Sequence, residues 1–110
     1  MELLVVPDCP NEAPAREVLD RAAGLAGVLD LELTVTVIDG DEEAQRRGFI
    51  GSPTFLIEGV DPFPVPGAPT AVACRVYRTA AGLSGAPEVG AQHEALVRAR
   101  AGPATAAGDR

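Results

Sequence analysis

The chain has 110 residues, enough for one hydrophobic core but not for two. Sixteen acidic residues stand against nine arginines and no lysine, a formal charge of −7. With no basic cluster to follow a phosphate backbone, nucleic acid is excluded as an expected partner. The apolar opening run, Leu3 to Val6, is stopped by Pro7-Asp8 and is too short for a secretory leader. No segment approaches a membrane span, so a cytoplasmic protein is expected. Two cysteines in such a chain point to free, catalytic or buried thiols rather than a structural disulfide. With one histidine they are too few for a zinc site.

Glu2 to Val6 reads as a strand covered on both faces. Pro7-Asp8-Cys9-Pro10-Asn11-Glu12 turns the chain into a helix running from Cys9 to about Gly27. Val18, Leu19, Ala22, Leu25 and Ala26 form its expected apolar stripe. Asp8 or Cys9 is placed at the N-cap, Pro10 in the first turn, and Gly24 or Gly27 at the end. Leu31 to Ile38 alternates, with Leu31, Leu33, Val35 and Val37 on one face, and reads as a half-covered strand near an edge. Asp39-Gly40-Asp41 caps a short charged helix, Glu42 to Arg47, ended by Gly48.

Gly51-Ser52-Pro53-Thr54 then leads into the apolar run Phe55-Leu56-Ile57, a buried strand. A proline deletes a ladder hydrogen bond, so Pro53 is expected at its first residue; the residues alone leave its peptide bond open between cis and trans. Residues 58–71 are rich in proline and glycine and fit no regular element. A segment of that length is either a functional loop or a plain insertion. Ala73 to Tyr77 reads as a further strand, antiparallel to the Pro53 strand. Thr79 to Pro87 reads as a loop. Glu88 to about Arg100 reads as a helix with Val89, Leu96 and Val97 as its apolar contacts, and 101–110 as a frayed tail after a domain at 1–100.

Gly48-Phe49-Ile50-Gly51-Ser52-Pro53-Thr54 resembles the Gly-apolar-x-Gly-x-Pro-Thr pattern of the thioredoxin-like superfamily. The strand–Cys9–helix unit resembles that family's active-site segment. The likeness spans roughly residues 2–100, at glutaredoxin size. It implies a three-layer α/β fold of order β-α-β-α-β-β-α: a four-stranded mixed sheet with helices on both faces and a cis Pro53 facing Cys9. It also marks a departure. Cys9-Pro10-Asn11-Glu12 has Glu12 where the family's Cys-x-x-Cys places its second cysteine. Cys9 therefore has no resolving thiol on its own helix, and a dithiol reductase is not expected. Cys74, glutathione or another low-molecular-weight thiol would have to resolve a mixed disulfide.

At Cys9 a helix N-terminus favours a thiolate, whereas the neighbouring Asp8 and Glu12 disfavour a second anion. Cys9 is thus read either as a reactive thiol or as an inert residue with Glu12 as a plain cap. Cys74, after Ala71-Val72-Ala73, reads as a buried small hydrophobe or a second thiol. His93 reads as solvated. The antiparallel register puts Cys74 near Ile57, about 10–16 Å from Cys9 at roughly 3.3 Å per residue. Asp8, Pro10, Ser52 and Thr54 are expected to line the groove around Cys9, Glu12 and Pro53.

Three functions are consistent with these residues. The first is a thioredoxin-like monothiol protein whose Cys9 exchanges with protein or small-molecule disulfides or senses thiols, with no bound cofactor. The second is a non-catalytic thioredoxin-like adaptor that uses the Pro53 groove and the 58–71 loop. The third is soft-metal chemistry of the organomercurial-lyase kind with Cys9, Cys74 and Asp8, which rests on residue types alone.

Overall fold

The structure is a computed structural model and describes residues 1–28 and 31–101. The element order is β1 (Glu2–Val5), α1 (Glu12–Ala26), β2 (Thr34–Val37), α2 (Asp41–Arg47), β3 (Thr54–Leu56), β4 (Tyr77–Thr79), β5 (Gly82–Ser84) and α3 (Val89–Ala101). It is a mixed α/β fold. β1 lies at the centre of a three-stranded sheet of order β2-β1-β3. β1 runs parallel to β2, with Glu2 opposite Thr34 and Val5 opposite Val37, and antiparallel to β3, with Leu4 opposite Thr54.

The pleat of β1 divides the core between its two faces. Leu3 and Val5 pack with Phe55 and with Ala15, Leu19, Ala22 and Leu96 of α1 and α3. Leu4 packs on the opposite face with Ile38, Ala44 and Phe49, under α2. Each fully buried leucine withdraws roughly 1.5–3 kcal/mol worth of apolar surface from water. β2 has a partner on one side only, as its alternating pattern predicts, and Val37 is half exposed.

Several expectations are corrected. Residues 73–77 do not form a fourth strand of the sheet. Only Cys74 pairs there, in an isolated bridge with Ser52, and the bridge is parallel, not antiparallel. Tyr77–Thr79 instead forms a separate hairpin with Gly82–Ser84, which lies inside the segment expected to be a loop. Its turn is stabilised by Thr79, whose Oγ1 donates to the Gly82 carbonyl at 2.7 Å and accepts from the Ala81 N–H. α1 begins at Glu12 with Asn11 as N-cap, not Asp8 or Cys9. It ends at Gly27, as the glycine signal predicts. Leu25 faces outward and Ala15 and Ala23 inward, because the buried stripe follows the contact with α3. On α3, Leu96 is buried, Val97 is exposed, and the fully buried position on that face is Gln92. His93 is half-buried. The tail proposed at 101–110 lies, beyond Ala101, outside the described residues. Among the described residues, no helix is long and apolar enough to cross a membrane.

Candidate functional site around Cys9

β1 ends at Val5 and the chain turns sharply through Pro7 and Asp8. Asp8 has φ 55°, the left-handed region that aspartate tolerates better than bulkier residues. The turn directs Cys9 inward, so that it joins the core cluster at 8% exposure between exposed Asp8 and Pro10. The Cys9 carbonyl accepts the Glu12 N–H at 3.3 Å as the first helical turn closes.

Because β3 is antiparallel to β1, the turn before β3 lies at the same end of the sheet as the turn after β1. The Ser52–Pro53 peptide bond there is cis. Ser52 is fully buried. Its hydroxyl accepts the Val6 N–H at 3.1 Å and donates to Cys9 Sγ at 2.9 Å. The backbone donor occupies a lone pair of Oγ, which leaves the hydroxyl proton for sulfur. Ser52, expected to line an open groove, is thus a buried residue, and the sequence held no signal for its direct bond to Cys9.

Glu12 bonds to Cys9 through the backbone alone, not from carboxylate to thiol. Its carboxylate pairs with Arg16 at 3.7 Å on the helix surface. Cys9, Glu12 and Arg16 together line a cleft of about 460 Å³ that runs along α1 to Asp20. Thr54, expected in the groove, is instead buried. It donates to the Gly51 carbonyl at 2.6 Å and accepts from Arg75 Nη1 at 3.1 Å, so its polar group supports the turn from inside.

Cys74 is exposed, contrary to the reading of a buried hydrophobe. It does not lie near Ile57. The Ser52 N–H donates to the Ala73 carbonyl and the Arg75 N–H to the Ser52 carbonyl, both at 2.8 Å, which fixes Cys74 beside Ser52. The proline-rich segment carries the chain back from the far end of β3, with the Ala71 N–H bonded to the Phe49 carbonyl. The turn-based register could not anticipate that return. Both cysteines are free thiols.

A second cluster, unread in the sequence, fixes this arrangement. Arg75 is 6% exposed. It pairs with Asp61 at 2.9 Å, donates to Thr54 Oγ1 and the Phe63 carbonyl, and lies 4.5 Å from the centre of the Tyr77 ring. Tyr77 donates its hydroxyl to the Pro53 carbonyl and packs edge-on against Phe63 at 5.6 Å. Burial pushes the Tyr77 phenol well above its ordinary value. Loop 58–71 is thereby strapped to the Pro53 turn. The available signal was the charge of Arg75 inside an otherwise apolar run, since a buried arginine requires partners. Gly51, at φ 138°, is required beside it, because a Cβ there would stand 2.8 Å from that of Arg75.

On the outer side of Arg75 and Tyr77, an apolar groove of about 600 Å³ runs between Phe63, Val65, Val76 and Leu83. Among the described residues, no three His, Cys, Asp or Glu side chains come together as a metal site. Comparisons with protein-family models, with characterised proteins and with solved structures find no match to this chain.

Proposed function

We propose that this is a thioredoxin-like monothiol protein in which Cys9 takes part in thiol–disulfide exchange. The observation that carries the reading is the hydroxyl of Ser52, committed to the Val6 N–H on one side and donating at 2.9 Å to Cys9 Sγ on the other. The thiolate is the nucleophile of exchange, and a proton donor held on sulfur serves it. The sheet order β2-β1-β3, with Cys9 after β1 and the cis Pro53 before β3 at the same end, supports the thioredoxin-like reading. Glutathione or another small thiol is the reductant class, and a protein or small-molecule disulfide the substrate class.

A coupled assay with glutathione and hydroxyethyl disulfide tests this. Wild-type protein should accelerate exchange and Cys9→Ala should slow it. Equal rates for the two would refute it.

The exposed groove favours a second reading, a thioredoxin-like adaptor that holds an apolar partner. Val65, Val76 and Leu83 are all more than half exposed there. Two thiols that stay slow across a pH titration of the native protein would favour this reading over exchange.

A further inference from the structure

The exchange reading leaves open which thiol meets the incoming disulfide. We infer that Cys74 is that thiol and that Cys9, buried behind Ser52, resolves the resulting mixed disulfide. The inference rests on the exchange reading above but replaces its single thiol with a pair, Cys74 and Cys9.

Two observations carry it. First, access: Cys74 is exposed while Cys9 is 8% exposed, and attack on a disulfide needs a sulfur that the substrate can approach. Second, connection: Cys74 is the bridge partner of Ser52, and paired backbones stand about 4.8 Å apart. The Ser52 hydroxyl in turn touches Cys9 Sγ, so one serine links the two cysteines. A disulfide needs α-carbons within about 7 Å, so the Cys74 segment, held at Ser52 by two backbone hydrogen bonds and by the buried Arg75 beside it, has to move toward Cys9 after the first attack.

The chemistry balances without a further reagent. The Cys74 thiolate attacks one sulfur of the substrate disulfide, forms a Cys74–substrate bond and releases the other half as a thiolate. The Cys9 thiolate then attacks the Cys74 sulfur, forms the Cys9–Cys74 bond and releases the second half. Two protein thiols are oxidised and one disulfide is reduced to two thiols, which take up the two protons.

The test uses reduced full-length protein and one equivalent of dithiodipyridine, with thiopyridone release followed by absorbance. Wild type should release two thiopyridones per reagent molecule and yield a Cys9–Cys74 cross-linked peptide. Cys9→Ser should release one and retain a pyridyl adduct on Cys74. Cys74→Ser should react about tenfold or more slowly, because only the poorly accessible sulfur remains. Early-time peptide mapping of wild type, which needs no variant, should place the first adduct on Cys74. A first adduct on Cys9, a Cys74→Ser rate equal to wild type, or a persistent Cys74 adduct in wild type would each overturn the assignment while leaving exchange intact. If neither native thiol reacts, the exchange reading falls with it.

Discussion

The Ser52 hydroxyl accepts from a backbone donor and donates to a sulfur, so its loss has two separable consequences. Ser52→Ala leaves the Val6 N–H without its partner, which should cost about 1–3 kcal/mol in urea unfolding. It also removes the donor on Cys9 Sγ, so native-state exchange at Cys9 should change while Cys74 labelling does not. A variant as stable as wild type would mean that the Val6 N–H is satisfied elsewhere. Arg75 poses a sharper case, because its charge is buried and its principal partner is Asp61. Asp61→Ala should destabilise the fold by about 3–5 kcal/mol, since a buried guanidinium then loses its counter-charge. A cost below about 1 kcal/mol, the range of exposed pairs, would show that the strap is not buried in solution. Tyr77, the only tyrosine, gives a clean optical signal. Burial holds its folded-state value above the ordinary 10, so its contribution to stability is intact below pH 10 and is lost as pH rises through the folded value. Tyrosinate absorbance should therefore rise only together with unfolding. Titration at the ordinary value in the folded protein would contradict the buried phenol.

At the scale of elements, the helices and the β1–β2 crossover were legible because each has a local signal. Leu19, Ala22 and Ala26 repeat at helical spacing, Gly27 and Gly48 end their helices, and the branched alternation of 31–38 marks a strand near an edge, formed over Thr34–Val37. Leu25 and Val97 were misplaced because periodicity gives a stripe but not its centre. The centre is set by the α1–α3 contact, a tertiary fact. On α3 the buried Gln92 amide has, among the described residues, no hydrogen-bond partner on either its oxygen or its nitrogen. Gln92→Leu should accordingly be neutral or stabilising by about 1 kcal/mol, because it removes an unsatisfied buried amide. A loss of more than that would reveal a partner for the amide. The edge of the sheet carries its own titration. Glu2 accepts from Thr36 Oγ1 and Arg47, both at 2.6 Å. The Thr36 bond first, and then Arg47, hold its carboxyl below the ordinary 4.5 against the opposing effect of partial burial. Its contribution is thus present above pH 4.5 and lost as pH falls through the lower folded value. Urea midpoints of wild type and Glu2→Gln should converge in acid, whereas parallel curves would refute the link.

Over the whole molecule, the turn that carries Cys9 and the turn that carries Pro53 meet because β1 and β3 are antiparallel, and both turns were readable from short motifs. The return of the chain to Ser52 was not readable. Residues 58–71 have no turn chemistry that dictates where they lead, and their path depends on Arg75 finding Asp61 and the Phe63 carbonyl. The same return changes the chemistry available at the site, since it brings an exposed thiol beside the serine that touches the buried one. Everything proposed for this site depends on Cys9 exchanging in the folded protein. The direct measurement is differential alkylation of both cysteines after equilibration across a series of thiol-to-disulfide ratios, with folding followed in parallel by circular dichroism. Cys9 should pass from alkylatable thiol to disulfide while the spectrum stays native. A Cys9 that remains a free thiol at every ratio until the protein unfolds would contradict it.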